Sequence, residues 1–278
     1  MKIIYFDCSF GVTGEMLLGS LLDLGCDIHS LATELNKIKL GIEYEITVSK
    51  TTRCSVSSSL FEITAEKSYK KIGAEDILKA ISESTLASEV KKFSLSALLR
   101  IFNAKNTIMP NEEGLYFPLR DALKMIVTTI GFAHFLSTLS YDAVIFSPIA
   151  EGTGFVNIDG TLYSIPEPIA FEILREENIE INVLDVPYEL ITPDGASIVC
   201  EAKDSISLLP SIVIKQVGYG ASHINSDEIP SLLRVIIGET KDELNLDTNT
   251  YFNMTVDSLF NENYGYNMNT DFNKMKEV

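Results

Sequence analysis

The sequence has few of the residues that build metal clusters or disulfide frameworks. Its three histidines and four cysteines lie far apart, with no CxxC pair and no zinc-ligand spacing. They are His29, His134, His223, Cys8, Cys26, Cys54 and Cys200. Because no export signal precedes the first strand pattern, we expect reduced thiols in a cytoplasmic protein. His134 lies in an apolar helical pattern, which predicts a satisfied core or edge residue rather than a ligand.

Long hydrophobic runs and basic patches are also missing. No stretch approaches the roughly 18 apolar residues that a membrane helix needs, so we expect no membrane function. The formal net charge of -17, without a compensating basic cluster, argues against binding to nucleic acid or to anionic membranes. What the chain does contain is 46% hydrophobic residues, enough to bury a sizeable core. Its acidic balance suits cations, although solubility alone also explains it.

The periodicity of apolar residues predicts a mixed α/β protein made of successive units. Residues 1–67 are predicted to form a small αβ unit with an opening strand at 2–8, two helices and a pair of antiparallel strands. A helical segment is expected over 68–140 and a mixed αβ unit with a mixed sheet over 141–240. The Asn-rich stretch 241–278 has little periodic pattern, which predicts a poorly ordered tail or a remnant of something longer.

Glycine-bearing loops at the ends of predicted strands are the first candidates for a binding site. The opening loop, in "DCSFGVTGEM", joins a strand to a helix N-terminus, whose exposed N–H groups and positive dipole end suit a phosphate. It has neither the lysine of a nucleotide P-loop nor a GxGxxG pattern. The candidate contacts to a phosphorylated cofactor or substrate are Gly11, Gly14, Gly152, Gly154, Thr192, Gly195, Gly218 and Gly220. Tight turns and helix caps also use these residue types, so both interpretations stand.

The loops, taken in order, resemble the LarC family of nickel insertion proteins, which complete the nickel-pincer nucleotide cofactor of lactate racemase. The family's opening pattern DCFSGISGDM stands here as "DCSFGVTGEM", with Glu15 where the family has Asp. "DAVIFSPIAEGTGFV", "GTLYSIPEPIAFEIL", "ELITPDGASIV" and "VGYGAS" followed by "LLRVIIGE" are similar to later family segments. The resemblance covers roughly residues 1 to 250, and the ordered series of motifs is more specific than any one of them.

This resemblance implies a nickel chelatase, a lyase-type enzyme that inserts the metal into pyridinium-3,5-bisthiocarboxylic acid mononucleotide. It also implies a nucleoside triphosphate, with Mg or Mn as its ion. The metal ligands that the resemblance implies in this chain are Asp7, Cys8, Glu15 and Asp159. The expected partners are the small-molecule nucleotide, a separate C-terminal domain protein and a second copy of the chain. No catalytic residue is predicted.

Two departures from the family favour an alternative. "YFPL" at 116–119 stands where the family carries His-Phe-His-Glu, and Asp159-Gly160 replaces a His-Gly pair. Oxygen ligands favour Mg²⁺ or Mn²⁺, whereas imidazole suits nickel. The alternative is a diverged, non-catalytic paralogue or subunit that binds a phosphorylated small molecule and a divalent cation.

Overall fold

A seven-stranded mixed sheet organises the computed structural model, which describes residues 1–66, 70–110, 115–158, 161–226 and 229–240. The strands are β1 (Lys2–Asp7), β2 (Tyr44–Arg53), β3 (Val56–Ala65), β4 (Lys71–Gly73), β5 (Tyr116–Pro118), β6 (Ala143–Phe146), β7 (Ile149–Glu151), β8 (Phe155–Ile158), β9 (Thr161–Ser164), β10 (Ile181–Val183), β11 (Ser205–Ile206), β12 (Val213–Ala221) and β13 (Leu232–Glu239). The order in the large sheet is β11-β6-β1-β13-β12-β3-β2. The interior strand β1 runs parallel to β6 and antiparallel to β13.

The helices begin where the sequence provides caps. They are α1 (Gly14–Asp23), α2 (Ile28–Leu35), α3 (Ala74–Ser82), α4 (Ser88–Ile108), α5 (Leu119–Thr138), α6 (Pro168–Glu176) and α7 (Pro193–Ala202). The side chains of Thr13, Asp27 and Thr192 each accept an N–H from the first turn of the helix that follows. Proline occupies the first position of α6 and α7, where its missing N–H costs nothing. The caps predicted at Asp27 and Thr192 are confirmed.

Successive side chains of β1 point to opposite faces of the sheet, as the pleat requires. On one face, Phe6 stacks on Phe146 with ring centroids 4.8 Å apart and contacts Phe132 of α5 at 5.6 Å. On the other face, Ile3 and Tyr5 belong to a second apolar cluster. The predicted mixed α/β class is confirmed, because helices and strands share one core around β1.

The large sheet combines strands from two of the predicted units. β1, β2 and β3 come from residues 1–67, and β6, β11, β12 and β13 come from 141–240. Pairing between β1 and β13 joins the two ends of the described chain, which local periodicity does not encode. The predicted tail over 241–278 lies outside the described residues.

The structure also adds an element that the sequence patterns did not predict. β8 and β9 pair antiparallel as a hairpin in the stretch interpreted as a glycine turn and its surroundings. Within the described ranges, every helix is too short or too polar to span a bilayer.

Candidate functional site

The N-termini of α1 and α7 lie side by side at the edge of the sheet. The loop before α1 forms a parallel bridge, Val12 to Ile191, with the loop before α7. Val12 N–H donates to Leu190 O at 2.9 Å, and Thr192 N–H donates to Val12 O at 3.2 Å. A Cβ at Gly195 would lie 2.4 Å from Val12 O, so only glycine permits this approach. Two positive helix ends therefore face the same region.

A lysine and two carboxylates connect these helix ends to α5. Lys124 Nζ lies 2.9 Å from Glu15 Oε2 and 3.9 Å from Asp194 Oδ1. Thr128 Oγ1 donates to the other Asp194 oxygen at 2.9 Å. Burial lowers the pKa of Lys124, but the Asp194 and Glu15 carboxylates outweigh it and hold the pKa above its ordinary value. The ammonium is therefore charged and shared by two acids.

A cavity of about 320 Å³ opens beside this group. Its polar lining comes from the two helix caps, the ion pair and two flanking loops: Thr13, Thr192, Glu15, Lys124, Glu189 and His223. Phe155 of β8 and Tyr188 add aromatic surface to the lining. A concave site with a few convergent polar groups and aromatic walls is the form that small-molecule sites take.

Glu189 is a second titratable group of this cavity with a strongly shifted pKa. Burial raises the pKa of Glu189 to about 7, and the Glu167 and Glu151 carboxylates push it the same way. The positive charge of Lys124 acts in the opposite direction but does not cancel them. Glu189 thus lies where negative charge exceeds positive charge, and its carboxyl is poised to change protonation near neutral pH.

The loop that carries Tyr188 and Glu189 is fixed by a buried glutamate. Glu151, at the end of β7, is fully buried and accepts N–H groups from Gly152 and Leu190, both at 2.7 Å. Burial raises the pKa of Glu151 to about 7 in spite of these donors. A Cβ at Gly152 would lie 2.0 Å from Tyr188 O, so the glycine lets the two loops touch.

The predicted metal ligands lie in different surroundings. Asp7 forms an ion pair with Arg234 and accepts the N–H and hydroxyl of Ser9. Cys8 is 0% exposed, and its N–H donates to Ser147 Oγ at 2.8 Å. Burial, and then the charge of Asp7, raise the pKa of the Cys8 thiol well above its ordinary value. Glu15 alone among these residues reaches the cavity.

These residues therefore do not assemble as a set in the part of the chain described. No three His, Cys, Asp or Glu side chains there form a group that could hold a metal ion, so Asp7, Cys8 and Glu15 do not make one together. Asp159 lies outside the described residues, and its part in a cation site stays a prediction. The four cysteines are free, as expected. His134 Nε2 lies 3.0 Å from Ser30 Oγ, which confirms the prediction that its imidazole has a hydrogen-bond partner within the fold.

Most of the predicted phosphate-binding glycines have a packing neighbour. A Cβ at Gly11 would lie 2.3 Å from Leu190 O, and one at Gly14 would lie 2.1 Å from Asp194 Oδ2. Gly218 and Gly220 instead bring β12 against α1, since a Cβ there would lie 2.4 Å from Ser20 O and 1.9 Å from Met16 O. Gly154 has a φ of +106° and no close neighbour. The glycines of the first loop thus permit close packing against Leu190 and Asp194.

Sequence reasoning missed Lys124, Tyr188 and Glu189. Lys124 interrupts the apolar run of α5, and a charge at a core-facing position is the signal that points to a buried partner. Its partners Glu15 and Asp194 are recognisable as first-turn acids, but nothing local indicates that the two helices meet. No pattern distinguishes Tyr188 or Glu189 from ordinary loop residues.

Comparisons with known proteins match this sequence over nearly the whole chain. A family model described as "Nickel insertion protein" matches residues 4–274. A protein of Dictyoglomus thermophilum is 32% identical over 268 residues, which cover 96% of this chain and 68% of the relative. A pyridinium-3,5-bisthiocarboxylic acid mononucleotide nickel insertion protein of Clostridium kluyveri is 30% identical over 281 residues, covering 96% of this chain and 69% of the relative. A protein of the same name from Desulfitobacterium hafniense is 34% identical over 244 residues, which cover 87% of this chain and 60% of the relative. No solved structure matches the chain at a comparable level.

Proposed function

Because the chain belongs to the nickel insertion protein family, we propose that it inserts nickel into pyridinium-3,5-bisthiocarboxylic acid mononucleotide. The match to the family over residues 4–274 is the observation that carries this proposal. Nickel is the cargo of the reaction, and the thiolated nucleotide receives it. In finer terms, the chain acts as the N-terminal part of the enzyme that completes the nickel cofactor of lactate racemase.

The cavity beside Lys124 supports this role through the variety of its lining. The substrate that the relatives' names print combines a cationic ring, acidic groups and a mononucleotide. The lining offers carboxylates from Glu15 and Glu189, an ammonium from Lys124 and aromatic surface from Tyr188. In this cavity of about 320 Å³, the ammonium can contact acidic groups of such a substrate, the carboxylates its positive charge, and the aromatic surface its ring.

Further elements of the proposal follow from the resemblance and from the length of the relatives. A nucleoside triphosphate with Mg or Mn supports the insertion step. From the resemblance, the proposal includes a separate C-terminal domain protein as a partner. This chain covers 68% and 69% of the length of two of its relatives. The chain acts in the cytoplasm and pairs with a second copy of itself.

The test is an insertion assay with purified components. The chain is mixed with Ni²⁺, the thiolated nucleotide, CTP and Mg²⁺, with and without the part of the Clostridium kluyveri relative that this chain does not cover. Mass spectrometry then measures the nickel-containing nucleotide. We expect product with the wild type and at least about tenfold less with Lys124→Met. Lys92→Met, an exposed lysine on α4, is the matched control and is expected to keep wild-type activity.

Two observations favour the second candidate, a non-catalytic subunit that binds a phosphorylated small molecule and a divalent cation. Among the described residues no group of three His, Cys, Asp or Glu side chains could hold a metal ion. Tyr116 to Leu119 also stand where the family has its His-rich segment. Absence of product in both assay mixtures, together with calorimetric binding of the nucleotide, would establish this candidate and overturn the first.

A further inference from the structure

The connection from β11 to β12 crosses one face of the large sheet. Ile3 and Tyr5 of β1 and Ile236 of β13 belong to the apolar cluster on this face. Ile212, near the end of the connection, packs against that cluster. The Tyr5 hydroxyl donates to Ser207 O, at the start of the connection, at 3.4 Å. The cluster is therefore covered from the solvent side by an extended stretch of chain.

β12 adds two apolar side chains to the same face of the sheet. Val217 pairs with Ile236, whose side chain belongs to the cluster. Ile214 pairs with Gly238, which lies two residues further along β13 and therefore on the same face. A register shift between Ile214 and Gln216 inserts one residue into β12, which lets both apolar side chains point the same way.

These side chains and those of the connection form an exposed apolar surface, which we call the β12 surface. Ile212 joins its two parts, because its Cδ1 atom lies 2.6 Å from the position of a Cβ at Gly238. The surface is most exposed at Leu208, at 78%, and at Ile214, at 53%. Contiguous apolar patches in solvent mark sites of interaction with another protein. The members of the β12 surface are Leu208, Leu209, Ile214 and Val217.

The β12 surface ends at an open strand edge. In the part of the chain that the structure describes, β3 pairs with β12 only between Ser59 and Gly220, so residues 213–217 pair with β13 alone. The free N–H and C=O groups of an edge strand are a template for pairing with another chain, unless charges or proline protect them. Lys215 is the one charged residue in this stretch, which contains no proline. The edge and the face together offer a partner main-chain and apolar contacts.

The distribution of charge favours a second copy of the chain as this partner. Lys215 Nζ lies 3.0 Å from Glu239 Oε2, and Arg234 of β13 forms an ion pair with Asp7 of β1. These charges beside the β12 surface are thus balanced within one molecule. The whole chain has a formal net charge of -17, so two copies repel each other over most of their surfaces. The repulsion is weakest where the charges are paired and the exposed side chains are apolar.

We propose that two copies of the chain form a dimer through the β12 surface, in which the same residues of each copy meet about a twofold axis. Twofold dimers are the commonest homo-oligomers, and such an interface is self-complementary. Two sheet faces that both carry apolar side chains pack about 10 Å apart. The proposal rests on the pairing with a second copy that the proposed function includes, and it assigns a surface to that pairing.

Sedimentation velocity of the whole chain, without nickel or nucleotide, tests the dimer. We expect a monomer–dimer equilibrium between about 1 and 100 µM protein. Added NaCl screens the repulsion between two acidic copies, so it should tighten an apolar dimer. A wild-type chain that stays monomeric over this range, or a dimer that NaCl weakens, would overturn the proposal.

Matched variants separate the β12 surface from other exposed apolar residues. Ile214→Lys and Leu208→Lys each place a charge at an exposed position of the surface, and we expect each to raise the dissociation constant at least about tenfold. Ile214→Leu keeps an apolar side chain and should dimerise like the wild type. The controls are Phe171→Lys on α6 and Val183→Lys on β10, at side chains that are 50% and 65% exposed, and neither should change the dissociation constant.

The variants also define the results that contradict the proposal. If the controls weaken the dimer as much as Ile214→Lys does, or if Ile214→Lys and Leu208→Lys leave it intact, the β12 surface is not the interface. A monomeric wild type that binds the uncovered part of the Clostridium kluyveri relative, with binding lost in Ile214→Lys, would assign the surface to that protein instead. Thermal unfolding first establishes that every variant is folded.

The outcome is distinct from that of the insertion assay, which measures a nickel-containing product. A dimer formed through the β12 surface, without product in that assay, would remove the proposed nickel insertion and keep the interface. Product formed by a chain that stays monomeric would do the reverse.

Discussion

The carboxylate of Glu151 accepts the main-chain N–H of Leu190 at 2.7 Å, across 39 residues of sequence. It also accepts Gly152 N–H at 2.7 Å and Ile191 N–H at 3.2 Å. Three N–H groups that would otherwise be buried without acceptors depend on this one side chain. Glu151 therefore fixes the loop that carries Tyr188 and Glu189 along one wall of the cavity.

Replacing Glu151 by alanine should be strongly destabilising. The variant loses a buried acceptor for three donors, so we expect Glu151→Ala to lower the free energy of unfolding by about 2–4 kcal/mol in urea titrations. Glu151→Gln keeps one acceptor oxygen, so we expect it to lower the free energy of unfolding by less. Glu83→Ala, which removes only an exposed partner of Lys79, serves as control and should cost under about 1 kcal/mol. Equal losses for Glu151→Ala and the control would show that the three bonds contribute little.

Glu189 gives the stability of the fold a definite dependence on pH. Its pKa rises from 4.5 to about 7 on folding, chiefly through burial, so the folded state binds the proton more tightly than the unfolded state. This contribution is fully present below about pH 4.5 and is lost as the pH rises through about 7. A neutral glutamine does not have this loss. We expect the stability advantage of Glu189→Gln over wild type to grow by about 1–2 kcal/mol between pH 5.5 and pH 8.5.

Thermal unfolding at several pH values measures this difference. Glu180→Gln, which removes a carboxylate from an exposed position, is the matched control and should show a constant offset from wild type. A Glu189→Gln advantage that shrinks with rising pH would mean that the ionised carboxylate has a stabilising partner.

The cysteines should differ sharply in reactivity, which bears on the predicted role of Cys8 in nickel binding. Cys8 and Cys200 are buried, and burial raises the pKa of both thiols, whereas Cys54 is exposed. A thiol reagent such as Ellman's reagent reacts with exposed thiolate. We expect Cys54 to be the fast-reacting thiol in the folded protein, and Cys8 to react only after denaturation. Rapid labelling of Cys8 in Cys54→Ser protein would show that the opening loop exposes its thiol.

The sequence predicted the helices well wherever their start signals are local. Thr192 followed by Pro193 marks the beginning of α7, and Asp27 marks that of α2, because a cap acts on N–H groups within the next turn. The β8–β9 hairpin was missed although Asp159-Gly160 between two alternating runs is a recognised hairpin signal.

The site was predicted only in part, for a physical reason. The opening loop and the TPDGAS loop were identified, and they do adjoin each other through Val12 and Ile191. Their meeting point depends on Gly195, which approaches the backbone of Val12, and on Gly14, which approaches the side chains of Asp194 and Thr128. Periodicity reports which residues face a core, but it does not report which elements become neighbours. The pairing of Lys124 with Glu15 therefore could not be predicted from the sequence.

Lys124 should contribute to stability as well as to function, because its removal leaves two acids without their shared cation. Its ammonium lies 2.9 Å from Glu15 Oε2 and 3.9 Å from Asp194 Oδ1, and both carboxylates are largely buried. We expect Lys124→Met to lower the free energy of unfolding by about 2–4 kcal/mol in urea titrations. Adding Glu15→Gln should restore part of the loss, since it removes one of the uncompensated charges. Lys92→Met controls for the loss of an exposed lysine. If Glu15→Gln deepens the loss instead of relieving it, the carboxylate of Glu15 has a stabilising partner other than Lys124.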